Sequence, residues 1–256
     1  MEDTLKIVGI IPARMDSSRL PGKPLVDILG LPMIVHVLQR CMMAKTLDEI
    51  YVATDSKRIA DVVSSYGGRY IMTSDRHKTG TDRITEAAKE IDCDIVVNIQ
   101  GDEALVNPQH IDLVVDAMRE DKNINVAMAV NPCHNYNSTS DMKVVLDENM
   151  NIMYFSRSDI PSSARTNMAP MLKGYHIVPF RKDFLLDFSS WQHGKLEAVE
   201  YCEYLRILEK GFKIKAVFID DDAVSVDDQE TLAYVRKKME LDHIFKTYIY
   251  KARNKN

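Results

Sequence analysis

Short apolar runs rich in β-branched residues alternate with helix-patterned segments through the first half of this chain, and few architectures accommodate that order. Ile7 to Ile11, Glu49 to Thr54, Tyr70 to Thr73, Ile95 to Ile99 and Val126 to Val130 read as strands. Between them, the segments from Pro32 toward Ala44, Lys57 to Tyr66, Thr81 to Ile91 and Pro108 to Glu120 read as helices. Gly67-Gly68 supplies a C-cap signal, Thr81 an N-cap, and Pro108 a favoured first-turn residue. Strands such as Ile95 to Ile99 are apolar without polar alternation, as in a parallel sheet covered on both faces. The βαβα order therefore predicts an α/β fold with a mainly parallel central sheet and helices on both sides. Its ligand crevice should lie beyond the carboxyl ends of the strands.

The second half changes character. Lys143 to Leu146, Ile152 to Phe155 and Tyr175 to Pro179 are short strands separated by turns, which suggests an antiparallel or mixed addition. Asp183 to Phe188 reads as a short helix. Leu196 to Glu209 reads as one longer helix, with Ala198, Cys202 and Leu205 on an apolar stripe and Glu197, Glu200 and Tyr204 opposite. Phe212 to Ile219 follows as a strand, Asp228 to Leu241 as a helix, and Lys251 to Asn256 as a frayed tail. A length of 256 residues suits one large α/β domain, alone or with a small appended subdomain. The net charge of −5 argues against general nucleic-acid binding, whose footprint is basic. The longest apolar runs fall short of a membrane span, and Met1-Glu2-Asp3-Thr4 shows no secretory pattern. Cys41, Cys93, Cys133 and Cys202 are scattered without a CxxC pair, so buried thiols in a reducing cytoplasm are expected.

Local chemistry concentrates in a few places. The run Ile10-Ile11-Pro12-Ala13-Arg14-Met15-Asp16-Ser17-Ser18-Arg19-Leu20-Pro21-Gly22-Lys23-Pro24 puts three cations within ten residues, directly after a buried strand. Arg14, Arg19 and Lys23 repel one another unless an anion sits among them, and a polyphosphate is the natural candidate. The loop is neither GxxxxGK[ST] nor GxGxxG, so side-chain cations and loop N–H groups would hold the phosphates. A solvated basic turn is the plain alternative. Gln100-Gly101-Asp102-Glu103 closes the strand Ile95 to Ile99, where a carboxylate would face the crevice and suit Mg²⁺; Gly-Asp is also a common turn. Asp227 is weak alone, since Asp227 or Asp228 can N-cap the following helix. Gly80-Thr81-Asp82-Arg83 marks a helix start, and His77 before it reads as an exposed loop histidine. Arg157 follows a strand and can clamp a carboxylate bidentately, whereas a solvated helix face is the plain reading of Glu197, Glu200 and Glu203.

These segments resemble, in order and over most of the chain, the sugar-acid cytidylyltransferases, most closely the CMP-Kdo synthetase (3-deoxy-manno-octulosonate cytidylyltransferase) family. The resemblance runs from the Arg14 loop through Pro24-Leu25-Val26-Asp27, Pro32-Met33-Ile34-Val35-His36-Val37, Val52-Ala53-Thr54-Asp55, Gly80-Thr81-Asp82-Arg83 and Val97-Asn98-Ile99-Gln100-Gly101-Asp102-Glu103. It continues through Met142-Lys143-Val144-Val145-Leu146, Tyr154-Phe155-Ser156-Arg157 and Val226-Asp227. It implies a Rossmann-like three-layer nucleotidyltransferase fold, one domain over 1–256, with a sugar-binding and dimerisation region inserted at about 135–190, and a homodimer. It implies transfer of CMP from CTP to the anomeric hydroxyl of a 3-deoxy-ulosonic acid. Arg14, Ser17, Arg19, Lys23, Thr81, Arg83 and Gln100 would bind nucleotide. Asp102 and Asp227 would hold Mg²⁺, with Arg14 and Lys23 beside them in catalysis. Gln100, Arg157, His176, Glu200 and Glu203 would meet the sugar acid.

The chain departs from the family at Gly174 to Phe180, where a His-Leu-Gly-Ile-Tyr-Gly-Tyr stretch is usual, and after Pro161, where it is shortened and lacks the usual tryptophan. His176 is the available substitute for the usual histidine. These departures keep other acceptors in play, among them an 8-amino octulosonate, another sugar acid or a phosphonate. A different nucleotide and a non-catalytic nucleotide-binding module are the further rivals. The cytidylyl-transfer expectation requires that Asp102, Asp227 and Lys23 converge.

Overall fold

Strand β1 (Ile7–Ala13) is buried along its whole length and sets the frame of the computed structural model, which describes residues 5–17, 19–165, 170–220 and 224–253. The chain forms two compact units, residues 1–112 with 223–256 and residues 113–222. In the first, β1 leads through a 3₁₀ turn (Lys23–Leu25) and the small hairpin of β2 (Asp27–Ile28) and β3 (Leu31–Pro32) into α1 (Met33–Cys41). Then follow β4 (Glu49–Thr54), α2 (Lys57–Ser65), β5 (Arg69–Met72), α3 (Gly80–Lys89) and β6 (Ile95–Ile99). These strands pair in parallel in the order β6-β1-β4-β5, with Ile10 opposite Tyr51 and Ile7 opposite Ile95. Ile7, Val8, Ile10, Ile11, Ile95, Val96, Val97 and Ile99 are fully buried. Each contributes about 1.5–3 kcal/mol of apolar burial, which is why the two strands lack polar alternation.

The strand order places the ligand site. From β1 the chain steps to one side through β4 and β5, then crosses back to lay β6 on the other side of β1. The loops leaving β1 and β6 therefore part from each other at a topological switch point. The cationic loop follows β1, and Gln100-Gly101-Asp102 follows β6.

Helix α4 (Pro108–Glu120) carries the chain into the second unit. That unit holds β7 (Ala127–Cys133), β8 (Lys143–Leu146), β9 (Ile152–Ser156), β10 (Met171–Tyr175), β11 (Ile177–Arg181), α5 (Lys182–Ser190), α6 (Lys195–Glu200), α7 (Leu205–Glu209) and β12 (Lys215–Phe218). Its sheet runs β12-β7-β10-β8-β9, with β12 parallel to β7 and the other pairs antiparallel. The expected mixed addition is therefore present, but four of its details differ. The strand read at Tyr175 to Pro179 is two strands on either side of exposed His176. The helix read at Leu196 to Glu209 breaks at Tyr201, whose φ of 50° is left-handed. The break has a tertiary cause: the Glu200 and Tyr201 carbonyls accept from the Arg157 guanidinium, and the Glu200 carboxylate accepts from Ser156 Oγ and Arg157 N. Glu197 is buried rather than solvated, in a two-oxygen pair with Arg206 at 2.6 and 2.8 Å, and the guanidinium lies 4.8 Å from the Phe188 ring centroid. Burial acts to raise the Glu197 carboxyl, but hydrogen bonds from Arg206, Gly194 N and His193 outweigh it and hold it below its ordinary value. The strand read from Phe212 is confined to β12, because Gly211 turns the chain at φ 80° and Phe212 stacks on Trp191.

The chain then returns to the first unit with α8 (Gln229–Leu241) and α9 (His243–Arg253). The expected frayed tail, Lys251 to Asn256, is helical at its start: α9 runs to Arg253 and buries Phe245, Tyr248, Ile249 and Ala252; residues 254–256 lie outside the described residues. Its partner is α1, which is buried almost all round and needs cover on more than one side. His36 on α1 bridges Ile28 O at 2.8 Å and Tyr248 Oη at 2.7 Å. Burial depresses its pKa to about 4. Arg40, 1 % exposed, reaches Asp242, Leu105 O and Val106 O and lies over the Tyr248 ring. All four cysteines are buried and unbridged, and burial pushes the Cys202 thiol up to about 12. No helix among the described residues is long and apolar enough to cross a membrane.

Candidate active site

Two glycines and a few main-chain bonds bring distant segments together at the switch point. Gly22, at φ 68°, turns the cationic loop into the 3₁₀ turn that carries Lys23, and Leu20 anchors the loop in the core. Gly101 lies so close to β1 that a Cβ would come 2.6 Å from Pro12 O, a contact that only glycine permits. Val226 N donates to Asp102 O at 3.0 Å, and Ser225 Oγ donates to the buried Glu103 carboxylate. Asp228 then caps α8 through Thr231, with a 2.9 Å bond from Thr231 N, and Thr231 Oγ1 accepts from Asp227 N. Asp228 thus takes the cap, and Asp227 is left to face the loop after β6.

The outcome is a compact charge cluster. Lys23 Nζ lies 2.6 Å from Asp102 Oδ2 and 3.2 Å from Asp227 Oδ1, and Arg19 Nη2 reaches that same Asp227 oxygen at 2.9 Å. Two carboxylates held this close repel unless a cation lies between them, and here the Lys23 ammonium does so. Residues 23, 102 and 227, far apart in sequence, therefore converge as the expectation required. The pair also fits a hard divalent cation, since one ammonium already bridges both side chains. Among the described residues no group of three or more His, Cys, Asp or Glu is placed to hold a metal. A metal at Asp102 and Asp227 would thus take the rest of its shell from phosphate oxygens and water, the usual manner of Mg²⁺.

The cluster occupies part of a cleft of about 320 Å³ in the first unit, lined also by Arg14, Ser17, His77, Thr79, Gly80, Arg83 and Gln100. Arg14 is exposed in it, and Ser17 Oγ accepts from Leu20 N at 3.4 Å. Its second wall is the segment before α3. Thr79, not Thr81, caps that helix: Thr79 Oγ1 accepts from Asp82 N, and the Asp82 carboxylate accepts from Thr79 N. The Thr-x-x-Asp spacing of this capping box is visible in the sequence. Thr81 is buried inside the first turn and is not among the cleft residues. Arg83 is buried too, bonding Thr73 Oγ1 at 2.6 Å and Asp55 Oδ2 at 3.0 Å, so it ties α3 to the segments leaving β4 and β5. His77, read as an exposed loop histidine, instead pairs with Glu86, whose carboxylate also accepts from Ser74 N. The His77 hydrogen bond holds the Glu86 carboxyl below its ordinary value. Gln100 Nε2 donates to Asn98 Oδ1 at 3.2 Å, and its amide flanks Gly80.

Arg157, His176, Glu200 and Glu203 belong to the second unit. Arg157 directs its guanidinium to the carbonyls of Thr139, Glu200 and Tyr201, while Glu200 accepts from Ser156 and Arg157 N. Both side chains thus bond to the chain itself. Glu203 is half-buried just beyond the Tyr201 break, and His176 is exposed between β10 and β11. Of the shortened stretch after Pro161, residues 166–169 lie outside the described residues.

Comparison with known proteins gives the family. The cytidylyltransferase family model matches residues 8–214. A 3-deoxy-manno-octulosonate cytidylyltransferase from Syntrophobacter fumaroxidans is 44 % identical over 239 residues, covering 90 % of this chain and 96 % of the relative. An 8-amino-3,8-dideoxy-manno-octulosonate cytidylyltransferase from Shewanella frigidimarina is 38 % identical over 93 % of this chain and all of the relative. The solved structure of a CMP:2-keto-3-deoxy-manno-octonic acid synthetase complexed with CTP superposes with a TM-score of 0.89 at 36 % identity, covering 92 % of this chain and 99 % of that one. The chain belongs to the cytidylyltransferase family, among the 3-deoxy-manno-octulosonate cytidylyltransferases.

Proposed function

We propose that this chain transfers CMP from CTP to the anomeric hydroxyl of a 3-deoxy-ulosonic acid, with 3-deoxy-manno-octulosonate as the acceptor. The observation that carries the reading is the convergence of Lys23 on Asp102 and Asp227 at the switch point, beside Arg14 and Arg19. Arg14, Arg19 and Lys23 would orient the triphosphate. Gln100 and the Thr79–Gly80 wall would meet the nucleoside. Asp102 and Asp227 would hold Mg²⁺, whose contribution when bound is to offset phosphate charge. The acceptor oxygen forms a bond to the α-phosphorus, the α–β bridging P–O bond breaks, pyrophosphate leaves, and the hydroxyl proton passes to solvent. No covalent protein intermediate is required; positioning and charge neutralisation supply the catalysis.

The test is CTP-dependent pyrophosphate release with a panel of acceptors. The reading expects turnover with 3-deoxy-manno-octulosonate and none with UTP or GTP in place of CTP. Absence of CTP-dependent release with every sugar acid and phosphonate refutes it. A second reading keeps the chemistry and takes the 8-amino octulosonate; the Shewanella relative and the altered segment around His176 favour it. Competition between the two acceptors decides by the ratio of kcat/KM. The reading also carries a homodimer formed through the mixed sheet of the second unit, whose edge strand β9 exposes Met153. Sedimentation equilibrium at the mass of one chain would contradict that part.

A further inference from the structure

We infer that Lys23 is a built-in surrogate for the divalent cation. Its ammonium holds Asp102 and Asp227 together and excludes a metal ion from between them until a polyphosphate draws it away. This rests on the cytidylyl-transfer reading and adds to it an order of events: metal and nucleotide enter as coupled ligands.

The geometry is specific. Mg²⁺ needs carboxylate oxygens at about 2.0–2.1 Å and tolerates little distortion. Lys23 Nζ lies 2.6 Å from one carboxylate and 3.2 Å from the other, inside the wedge that such an ion would fill. Oδ1 of Asp227 accepts from both Lys23 and Arg19, so its two lone pairs are engaged. An ion could bridge Asp102 Oδ2 and Asp227 Oδ1 only after the ammonium leaves. The Lys23 backbone is fixed by the Gly22 turn and by Pro24, while its four-carbon stem can rotate, so departure needs a rotamer change and no loop opening. Arg19, 59 % exposed at its side chain, is freer still. A triphosphate offers both cations better charge-assisted partners than two carboxylates do. Their transfer to phosphate uncovers Asp102 and Asp227 for the metal. By linkage, any factor by which nucleotide strengthens metal binding must equal the factor by which metal strengthens nucleotide binding. The same contact has a positioning role, because it keeps two like charges on one shared cation.

The probe is Mn²⁺ without nucleotide, with free ion followed by electron paramagnetic resonance in wild type and Lys23→Met. We expect the variant to bind Mn²⁺ at least tenfold more tightly than wild type. Asp102→Asn in the Lys23→Met background should abolish the gain. Equal affinities, or no manganese bound by either protein, overturn the inference. Should Lys23→Met fail to fold, as judged by thermal denaturation, wild-type crystals soaked in Mn²⁺ with and without CTP decide by anomalous scattering. A manganese peak between Asp102 and Asp227 only with CTP, and with Lys23 Nζ displaced, supports the inference; a peak there without CTP overturns it. Pyrophosphate release by wild type is measured alongside, so loss of the enzymatic reading and loss of this one are separate results.

Discussion

At the scale of single residues, position in the fold decides what each side chain can do. Lys23 matters because it joins two carboxylates from distant turns, and Asp102 and Asp227 matter because Gly101 and Val226 bring them there. Asp102→Asn or Asp227→Asn should lower kcat for CTP-dependent pyrophosphate release by about 10²-fold or more, the usual cost of removing a principal charge-stabilising group. A loss below about threefold in both variants would take these carboxylates out of the chemistry. Gly101→Ala drives a methyl against Pro12 O and should cost about 1–3 kcal/mol in urea denaturation, with CTP binding weakened as the β6 loop moves off β1. An unchanged midpoint contradicts the close approach. The basic loop was legible in the sequence, because three cations in ten residues need an explanation wherever they lie. The convergence on Asp227 was not legible from the residues alone, since an aspartate before a helix is ordinarily a cap and only the family resemblance singled it out. The His77–Glu86 pair escaped because its members are nine residues apart, one in a loop and one on a helix.

At the scale of elements, caps and breaks aim the site. Asp228 serves α8, and the preceding residue is presented to the cleft as a consequence. Asp228→Ala should cost about 1 kcal/mol of stability by chemical denaturation and raise KM for CTP, since Asp227 shares the Thr231 anchor. A stability loss without any change in KM would separate the cap from the site. The α1–α9 contact makes a pH prediction. His36 is held neutral, its pKa lowered to about 4 by burial. A base with a depressed folded pKa stabilises fully above its unfolded value of 6.5, and that stability is lost as pH falls from 6.5 toward 4. The loss should approach about 3 kcal/mol by the lower end. His36→Gln should flatten the pH dependence of denaturation in that window, and an equally steep dependence contradicts the assignment. Helix α9 displays an apolar periodicity in the sequence at Phe245, Tyr248, Ile249 and Ala252, and a frayed tail placed from Lys251 onward cuts off its last turn. The break between α6 and α7 is different: it arises from Arg157 and Ser156 binding Glu200 and Tyr201 across more than forty residues, and no local pattern encodes that.

At the scale of the whole molecule, alternating apolar runs and helical patterns were enough to specify a parallel sheet, because strands without polar alternation can only be buried. They were also enough to name the crevice, since ligand loops follow strand ends. What they could not supply is the order β6-β1-β4-β5, which sets the loops after β1 and β6 at the switch point, or the return of residues 224–253 to the unit that holds them. Both depend on pairing between segments far apart in sequence, where periodicity carries no information. The central claim is that this cleft of the first unit receives the triphosphate of CTP. A crystal structure with CTP and Mg²⁺ tests it most directly. The account predicts phosphate oxygens within hydrogen-bonding distance of Arg14, Arg19 and Lys23, with Asp102 and Asp227 turned toward the same phosphates; CTP bound elsewhere, or Lys23 still bridging the two carboxylates beside bound nucleotide and metal, would contradict it.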